Sequence, residues 1–558
     1  MLKSNGEGYK MTKLEETLQQ AISKTLNSKY DIDVDPNSVT IEIPKDTSNG
    51  DYSTNIAMKM AKKVGKNPLD IANELSTSLT SELKNVKKIE VARPGFINFW
   101  MNKESIADII NTVIEQDESY GLSKEKKNIK ILEEYVSANP TGPLHCGHAR
   151  GAAWGDSCVR IMKAAGYDVT REYYINDAGA QIHNLGLSVY ARYKELFGEK
   201  EELPEDGYHG KDVAEDAKTI KEKYGDKFLK MNKEEAVEEL SNIEKQIKLD
   251  IIKKDLDYYG CGFDSWISEK WLYEQGMVDD VIKKMNDKNL LYEQDNALFF
   301  KTTQFGDDKD RVLKKSDGLY TYLTPDIANH LHKFDRGYDL LINIWGADHH
   351  GYIPRMKAAM QALGHNPDNL KVDICQMVRM VENGEEVKMS KRTGNAITIR
   401  ELIDDIGVDC TRYFFLSKAL DTHLDFDLSL ARKKTNENPV YYIQYAYARI
   451  SSILKQAEGF KKQDTYTLLN NQKEIDLLKH ISLFGEVIDT AAKERAPHRI
   501  CNYVHKLASY FHTYYAECMI NDPNNKELTN ERLSLIKATQ ITIKNALSLL
   551  GVSAPEKM

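Results

Sequence analysis

The sequence lacks any apolar run that approaches the roughly 20 residues needed to span a membrane as a helix. Its first residues, MLKSNGEGYKMTKLEE, also lack the apolar segment of a secretory signal. No internal repeat or low-complexity tract interrupts the chain. These absences predict a protein without a membrane partner, and the default expectation for its location is the cytoplasm.

Paired cysteines are missing as well. The seven cysteines are scattered, and no two of them form a C-x-x-C pair. This spacing favours neither a disulfide framework nor a cysteine zinc site, so we expect no bound zinc. The cysteines are Cys146, Cys158, Cys261, Cys375, Cys410, Cys501 and Cys518.

The chain has no excess of basic residues, since its net charge is −9. That charge argues mildly against a nucleic-acid partner, because phosphate binding needs clustered Lys and Arg. A local basic face can nevertheless coexist with an acidic remainder. The hydrophobic fraction of 41% and charged fraction of 29% are typical of a globular protein rather than a disordered or fibrous one.

At 558 residues the chain is too long for one hydrophobic core, and three segments differ in pattern. Residues 1–122 mix helical and strand-like runs, which predicts an α+β N-terminal domain. Its predicted elements are a helix at 12–26, a strand VTIEIP at 39–44, a helix bent near Pro68, and two strands joined by the turn Pro94-Gly95.

Residues 123–435 alternate between strand-like and helical runs. This alternation predicts a Rossmann-type α/β domain, with a parallel sheet covered by helices on both faces. A charged stretch around 196–260 predicts a helical insertion, and Glu382 to Glu385 predict a hairpin turn. The predicted strands are NIKILEEYVS, GYDVTREYYIND, LYTYL, DLLINIW and KVDICQMVRM.

Residues 436–558 have apolar residues at spacings of three and four in four successive segments. Such a pattern with short links predicts an all-α C-terminal bundle. The segments are YYIQYAYARISSILKQAEGF, EIDLLKHISLFGEVIDTAAK, HRICNYVHKLASYFHTYYAECMI and ERLSLIKATQITIKNALSLLG.

The segment SANPTGPLHCGHAR, at 137–150, lies between a predicted strand and a predicted helix. Its glycines and small residues let a phosphate chain approach the backbone, and the helix N-terminus adds free N–H groups. His145 and His148 are three residues apart, so both can lie on one side of the first turn and donate to phosphate oxygens. The alternatives are a metal-binding His pair, for which no third ligand stands nearby, and a loop without function.

A cationic segment, EEVKMSKRTGNAITI at 385–399, follows the predicted hairpin. Lys388, Lys391 and Arg392 lie between two glycines, so a flexible loop there could neutralise the β- and γ-phosphates of a nucleotide. Alone, such a cluster is more typical of a solvated surface.

Together, H-C-G-H and K-M-S-K-R resemble the paired nucleotide motifs of class I aminoacyl-tRNA synthetases, which read H-I-G-H and K-M-S-K-S in that family. Cys146 replaces the Ile, and Arg392 puts a cation in place of the final Ser. The surrounding sequence is similar to arginyl-tRNA synthetases along nearly the whole chain. The matching stretches are GDYSTNIAM, VARPGFINF, EYVSANPTGPLHCGHARGA, YLTPDIA, WGADHHGY and the closing LGVSAPEKM.

The resemblance implies an arginine–tRNA ligase that forms arginyl-adenylate and pyrophosphate from ATP and then esterifies arginine onto the 3′-terminal ribose of tRNA(Arg). Mg²⁺ is expected to accompany the ATP, L-arginine and tRNA(Arg) are the other substrates, and we expect a monomer. The resemblance also implies that arginine activation requires bound tRNA. The catalytic residues would be His145, His148, Lys388 and Lys391.

In such enzymes ATP lies against both motifs and against a strand-end turn, here Gly346 to Gly351, near its adenine and ribose. The ATP-binding residues implied here are Pro140, Thr141, Gly142, His145, Gly147, His148, Gly346, Asp348, His349, Met389 and Ser390. The run Asp348-His349-His350 also marks a manganese-dependent phosphoesterase family, but the further Asp motifs of that family are not found upstream.

The arginine pocket can be argued from chemistry as well. A buried guanidinium needs carboxylate partners, and it prefers planar bidentate ones. We expect Asp326 and Tyr322, four residues apart at the end of a strand, to hold it; the alternative for Asp326 is a helix N-cap after Pro325. The resemblance adds contacts to the α-amino and carboxylate groups from Glu134, Ser137 and Asn139.

The outer domains resemble the parts of arginyl-tRNA synthetases that touch the tRNA corner and the anticodon. Phe96 and Asn98 offer a ring and an amide to an unpaired base, although a core Phe and a turn-end Asn are equally plausible. A tyrosine stripe at 441–447 is more often core than a base platform, but some of its rings must face outward. We select Tyr445 as a tRNA contact.

Three other functions can be weighed against this one. Another class I synthetase, such as the cysteine enzyme, would need zinc ligands that this chain lacks. A nucleotidylyltransferase would need neither the N-terminal domain nor the bundle. A tRNA-binding regulator without catalysis would have no need for two intact nucleotide motifs.

Overall fold

A computed structural model of the chain describes residues 13–42, 44, 46–387, 396–457 and 461–558. These residues form two compact units. The first unit contains the described parts of 1–127 and 434–558 together with 164–166. The second contains 128–163 and the described parts of 167–433.

The N-terminal part of the first unit is an α+β structure, as predicted. Its elements are α1 (Lys13–Tyr30), β1 (Tyr52–Thr54), α2 (Ile56–Val64), α3 (Pro68–Glu82), β2 (Val86–Ala92), β3 (Phe96–Met101), α4 (Lys103–Ala107) and α5 (Ile109–Gln116). The strands form an antiparallel sheet in the order β1-β3-β2, and Pro94-Gly95 forms the expected turn between β2 and β3.

Two features of this part differ from the prediction. The helix expected to bend near Pro68 is two helices, because Gly65 ends α2 at φ 72° and the Asn67 side chain begins α3 by accepting a hydrogen bond. The strand expected at 39–44 is wrong, since its described residues form only an isolated bridge between Glu42 and Ser53.

The second unit is built on a parallel five-stranded sheet. The elements are β4 (Lys127–Glu134), α6 (Cys146–Ala164), β5 (Tyr167–Ile175), α7 (Ala180–Glu195), α8 (Lys211–Tyr224), α9 (Lys233–Tyr258), β6 (Ser265–Ser268), α10 (Glu269–Glu274), α11 (Met277–Asp287), β7 (Leu291–Gln294), β8 (Ala297–Phe300), β9 (Arg311–Lys314), α12 (Leu323–Asp335), β10 (Leu340–Gly346), α13 (Ile353–Leu363), β11 (Leu370–Cys375), β12 (Val378–Glu382), β13 (Glu385–Glu386), α14 (Ile399–Leu416), β14 (Leu424–Asp427) and α15 (Leu428–Ala431).

The strand order of this sheet is β11-β10-β4-β5-β6. The chain therefore starts in the centre, builds outward to β6, and returns to the other side of β4 with β10. Such a reversal leaves a crevice at the carboxyl ends of the two central strands, where open α/β sheets bind ligands. Glu134 is the last residue of β4 and Gly346 is the last residue of β10, so both lie at this crevice, where we expect a ligand-binding site.

Two predicted strands of this unit are wrong. The segment LYTYL at 319–323 forms only an isolated bridge between Lys314 and Tyr320, and its last residue already belongs to α12. KVDICQMVRM is two strands, because β11 pairs with β10 whereas β12 pairs with β13 and β14 in a separate sheet. The hairpin is confirmed: Asn383 and Gly384 both have positive φ, 55° and 84°, as its tight turn requires.

The helical insertion has an apolar core of its own. Helices α7, α8 and α9 pack around buried side chains that include Leu185, Tyr193 and Phe228. The fully buried Lys248 forms ion pairs of 2.6 Å with Asp212 and with Asp216. The charged residues of this stretch are thus only partly a solvated surface.

The C-terminal part of the first unit is a helical bundle, as predicted. Its helices are α16 (Pro439–Gln456), α17 (Gln472–Ser482), α18 (Phe484–Glu494), α19 (His498–Glu517) and α20 (Lys526–Leu549). The second predicted helix is broken at Leu483. In this unit Lys479 Nζ lies 2.5 Å from Asp51 Oδ1, and the Tyr120 hydroxyl donates to Ile481 O at 2.8 Å. None of the described helices is long and apolar enough to cross a membrane.

Candidate active site

The turn after β4 is held in a strained conformation. Val136 and Ser137 have φ of 68° and 39°, a region that residues with a Cβ rarely adopt. The preceding Tyr135 is fully buried against Gly155 of α6, where a Cβ would lie 2.3 Å from the ring. Ser137 Oγ accepts the N–H of Tyr174 from β5 at 3.0 Å. Backbone strain that its surroundings impose in this way is typical of functional sites.

His145 and His148 form a close ring pair at the start of α6, with centroids 3.8 Å apart and planes tilted by 31°. Nδ1 of His148 accepts the N–H of His145 at 3.2 Å, and Nδ1 of His145 accepts the N–H of Gly147 at 3.1 Å. Because both Nδ1 atoms accept, the proton of each neutral ring lies on Nε2. Burial, assisted by His145, lowers the pKa of His148 to about 3, and partial burial lowers the pKa of His145 as well. Near pH 7 the pair therefore presents two neutral Nε2–H donors.

The chain that enters α14 is attached to this histidine turn by main-chain hydrogen bonds. Cys146 N–H donates to Ile397 O, and Ile399 N–H donates to Leu144 O, both at 2.8 Å. Residues 397–399, which follow the K-M-S-K run after five intervening residues, are thus fixed against the H-C-G-H turn. The predicted site residues Lys388, Met389, Ser390 and Lys391, and also Arg392, lie outside the described residues.

The loop between β4 and α6 contains three residues predicted to bind ATP. Pro140 is buried, Gly142 is half-buried, and the Thr141 N–H donates to Asn139 O at 2.8 Å. The Asn139 side-chain amide, predicted to contact arginine, donates to Gln181 Oε1 at 2.6 Å. This loop follows β4 at the edge of the crevice, and Asn139 connects it to Gln181 of α7.

The other predicted ATP contacts lie at the end of β10. Gly346 is the last residue of that strand, and a 3₁₀ helix, Ala347–Tyr352, follows directly. Asp348 and His349 are exposed on this helix, with His349 Nε2 3.4 Å from Asp348 Oδ2. The structure thus places these residues across the topological switch point from the β4–α6 turn.

Glu134, the last residue of β4, is buried and ion-paired with the fully buried Lys333 of α12. Lys333 Nζ also lies 3.9 Å from Glu172 Oε1. Burial alone would raise the pKa of Glu134, but the ammonium of Lys333 outweighs that effect and holds the pKa below its usual value. Glu134 is therefore an anion near pH 7.

Asp326 lies in the first turn of α12 and not at the end of a strand, so its predicted position is wrong. The N-cap of this helix is Tyr322, and the N-cap alternative for Asp326 is therefore wrong too. The Tyr352 hydroxyl donates to Asp326 Oδ2 at 2.6 Å. Tyr322, by contrast, is 67% exposed, so most of its side chain faces solvent.

A second acid, Glu269, accompanies Asp326 and was missed by the sequence analysis. It follows the last residue of β6, and it accepts a hydrogen bond from the Tyr174 hydroxyl at 3.1 Å. Burial raises the pKa of Glu269 to about 7, and the charge of Asp326 adds to the effect. Burial likewise raises the pKa of Asp326 to about 7, against the hydrogen bond from Tyr352. Two carboxyl groups thus lie in poorly solvated places, where the charge of Asp326 disfavours ionisation of Glu269 and the charge of Glu134 disfavours ionisation of Asp326.

Among the described residues, neither Glu269 nor Asp326 has a basic side chain within ion-pair distance. The pair differs in this from Glu134, which has Lys333. No group of three or more His, Cys, Asp or Glu in the described parts of the chain could hold a metal ion. Two carboxyl groups that lack a cation fit a ligand that brings one, and a guanidinium can engage both through its planar fork of donors.

A cavity of about 870 Å³ lies between α7, α9 and the loop after β5, and neither Glu269 nor Asp326 lines it. Tyr273, which lines it, has its pKa raised to about 12 by burial and by the charges of Glu269 and Asp326. Lys270 of α10 and Asp177 of the loop after β5 also line the cavity. Its size is that of a ligand pocket rather than a packing defect.

The residues predicted to contact tRNA lie in the first unit. Asn98 is buried in β3, and its Oδ1 accepts the Ser53 hydroxyl at 2.8 Å, whereas Phe96 at the strand's start is half-buried. Tyr445 is 36% exposed on α16. Its ring is parallel to that of Tyr441, with an angle of 7° between the planes and 6.2 Å between the centroids. Of these three residues, Tyr445 presents the most accessible ring.

Comparison with known proteins matches nearly the whole chain to three family models. Residues 12–101 match the arginyl tRNA synthetase N-terminal domain. Residues 109–414 match the class I tRNA synthetase (R) catalytic domain, and residues 443–558 match the DALR anticodon-binding domain.

Individual relatives agree. The chain is 51% identical over 524 residues to arginine–tRNA ligase 1 of Halalkalibacterium halodurans, covering 93% of this chain and 94% of the relative. It is 50% identical over 525 residues to the arginine–tRNA ligase of Bacillus subtilis, with the same coverage. The solved structure of Thermus thermophilus arginyl-tRNA synthetase shares the fold, with a TM-score of 0.74, 21% identity, and coverage of 98% of this chain and 100% of that one.

The catalytic-domain match spans more than half of the chain, and the two relatives are about 50% identical over more than nine tenths of it. The chain belongs to the arginyl-tRNA synthetase family.

Proposed function

We propose that the crevice of the second unit activates arginine with ATP and transfers it to the 3′-terminal ribose of tRNA(Arg). The observation that carries the substrate assignment is the pair Glu269 and Asp326, two carboxyl groups without a basic partner among the described residues. An arginine side chain supplies a cation that favours the ionised form of both carboxyl groups.

We assign the α-ammonium and carboxylate groups of the arginine substrate to the residues at the carboxyl end of β4. Glu134 remains ionised because Lys333 holds its pKa low, so it can attract the α-ammonium group. Asn139 and Ser137 follow it in the turn, and we assign them to the same end of the substrate. Asn139 donates to Gln181 and Ser137 accepts the Tyr174 N–H, so substrate contacts must replace or share these hydrogen bonds.

The nucleotide is assigned to the histidine turn and to the end of β10. The arginine carboxylate attacks the α-phosphorus of ATP, an O–P bond forms, and pyrophosphate leaves. His145 and His148 donate their Nε2–H groups to phosphate oxygens, which gain negative charge in the transition state. Lys388 and Lys391 neutralise the β- and γ-phosphates, and the Mg²⁺ that arrives with ATP does the same.

The second step needs no covalent enzyme intermediate. The 3′-terminal ribose hydroxyl attacks the carbonyl carbon of arginyl-adenylate, the ester bond forms, and AMP leaves as the hydroxyl proton is released. On the tRNA side we assign Tyr445 to a base, because its exposed ring can stack. We also assign Phe96 and Asn98 to the tRNA. The side-chain amide of Asn98 is buried, so its contribution would be to position strand β3 rather than to contact a base.

The domain limits 1–122, 123–435 and 436–558, the helical insertion around 196–260, the monomeric state and the cytoplasmic location stay predictions. The contact between Lys479 and Asp51 supports a first unit in which the N-terminal and C-terminal parts move together. Sedimentation of the purified chain with and without tRNA measures the oligomeric state.

The direct test of the function is a charging assay. Purified protein is incubated with total tRNA, ATP and Mg²⁺ and, in parallel reactions, with each of the twenty labelled amino acids. We expect acid-precipitable label with arginine alone. Retention of a different amino acid, or of none, would overturn the proposed function.

A further inference from the structure

Arg150 is a buried cation that the mechanism above leaves without a role. It lies on α6 two residues after His148, and its side chain is fully buried. Its Nη1 donates to Gln376 O at 3.0 Å and to Thr422 O at 2.8 Å, and its Nη2 donates to Ala419 O at 2.7 Å. All three acceptors are main-chain carbonyls.

These carbonyl groups belong to two segments, one at Gln376 and one at 419–422, which are also hydrogen-bonded to each other. Gln376 follows β11 directly, and Met377, which is 73% exposed, leads into β12. Gln376 N–H donates to Leu420 O at 3.0 Å, so this crossing is bonded to the turn at 419–422. Arg150 adds a link from both segments to α6.

The chemistry of this link suits a positioning role better than a purely stabilising one. Guanidinium N–H groups form a rigid planar fork, so one side chain can fix acceptors on two segments at once. Burial opposes the charge and lowers the pKa of Arg150. Apolar residues of similar volume often stabilise a fold as well as buried charged groups do. A guanidinium at position 150 is explained if the function of the protein requires the three carbonyl groups to stay in fixed positions relative to α6.

We propose that Arg150 is a positioning residue for ATP. Through Gln376 O, Ala419 O and Thr422 O it fixes the crossing between β11 and β12 against the helix that carries His148. That crossing leads into the hairpin, and the sequence continues from the hairpin to Lys388 and Lys391. One guanidinium thus sets the spacing between the histidine turn and the hairpin that precedes the lysine motif. This inference rests on the proposed function, because it assigns both motifs to one nucleotide.

The test compares Arg150→Lys with Arg412→Lys in ATP–pyrophosphate exchange with arginine and tRNA present. Arg412 is the matched control: it is also fully buried, and it also bonds to α6, through Asp156 at 2.6 Å. A lysine at position 150 keeps the charge but cannot reach three separated carbonyls with fork geometry. We expect kcat/KM for ATP to fall by about tenfold to a hundredfold, as for a displacement of about 1 Å, with the arginine KM within about twofold.

Arg412→Lys is expected to lower Tm while changing the ATP and arginine parameters by the same small factor. If Arg150→Lys behaves in that way too, or leaves kcat/KM for ATP unchanged, the positioning role is wrong. All assays are run at a temperature at which circular dichroism shows that each variant is folded. The second variant is Arg150→Met, for which we expect a larger fall in kcat/KM for ATP and no comparable change in the arginine KM. If the wild-type chain itself does not charge arginine, the proposed function fails and not the role of Arg150.

Discussion

At the scale of residues, the buried acids of the site differ in whether they have an ion-pair partner. Glu134 is ion-paired with Lys333 and stays ionised, whereas among the described residues Glu269 and Asp326 accept hydrogen bonds from tyrosine hydroxyls, and each has a raised pKa. Burial disfavours the charges of Glu269 and Asp326, so the fold holds these two acids at a cost in stability. The arrangement is explained by a cationic ligand.

The acid pair makes arginine binding dependent on pH. With both pKa values at about 7, each carboxyl group is largely protonated at about pH 6 and largely ionised at about pH 8. A guanidinium binds the ionised forms, so we expect the KM for arginine to fall as the pH rises through this window, by up to about tenfold per unit for each group. Initial charging rates at saturating ATP and tRNA measure it. A KM for arginine that is constant over the window, or that rises, contradicts the assignment.

The histidine pair predicts a different pH profile and a different variant. Because the pKa of His148 is lowered to about 3, its protonation does not limit kcat between about pH 6 and about pH 8. His148→Ala removes a donor to the transition state, so we expect kcat to fall by about a hundredfold with the KM for ATP little changed. Steady-state exchange kinetics measure both constants. A loss confined to ATP affinity would assign His148 to ground-state binding.

The residues that the sequence revealed and those it hid differ in a physical way. Asp326 and Glu134 could be named because each lies in a stretch that resembles the family. Glu269 lies outside those stretches, and its only local signal is an acid directly after a strand that the hydrophobic pattern did not reveal. Its partnership with Asp326 is a long-range contact, and no local spacing encodes such a contact.

At the scale of elements, the strained turn between β4 and α6 depends on one close approach. Tyr135 packs against Gly155 of α6. The two residues that follow it in the chain, Val136 and Ser137, have positive φ angles. The hydrophobic pattern predicted the strand, the Gly/Pro loop and the helix. It could not predict the backbone angles, because they follow from packing across the sheet.

Two glycines of α6 test this contact. In Gly155→Ala the new Cβ would lie 2.3 Å from the Tyr135 ring, and we expect a destabilisation of about 1–3 kcal/mol, a lower Tm and slower charging. In Gly151→Ala the Cβ would meet Ile344 at an ordinary 3.9 Å, so the gain in helix propensity of up to about 1 kcal/mol should dominate. Thermal unfolding followed by fluorescence compares the two. Equal effects of both changes would show that Tyr135 does not control the turn.

Element boundaries were predicted best where local chemistry decides them. Asn383-Gly384 identified the β12–β13 hairpin, and Pro94-Gly95 identified the β2–β3 turn. The prediction failed at LYTYL, where β-forming side chains occupy a bend that leads into α12. There the tertiary structure overrides local strand propensity.

At the scale of the whole molecule, the class of each segment was predictable because periodicity persists over many residues. The parallel sheet, the N-terminal α+β part and the C-terminal helices are confirmed. The strand order was not read from the sequence, although it is the order that creates the crevice between β4 and β10. The packing of the N-terminal and C-terminal parts into one unit was not predicted either, since it depends on contacts such as Lys479 with Asp51.

The timing of arginine activation relative to tRNA binding is a prediction at the scale of the whole molecule. We expect ATP–pyrophosphate exchange to require tRNA, as the family resemblance implies. Exchange is measured without tRNA, with tRNA, and with periodate-oxidised tRNA, which binds but cannot accept arginine. Exchange at the full rate without tRNA would contradict this expectation.

The central claim is that Glu269 and Asp326 recognise the positive charge of arginine. It is tested most directly by the ratio of kcat/KM for arginine to kcat/KM for citrulline, its neutral isostere, in the wild type and in the double variant Glu269→Gln and Asp326→Asn. Losing a buried charged partner costs about 3–5 kcal/mol, so we expect the ratio to fall by at least about a hundredfold, with the KM for ATP nearly unchanged. A double variant that still prefers arginine as strongly as the wild type would contradict the account.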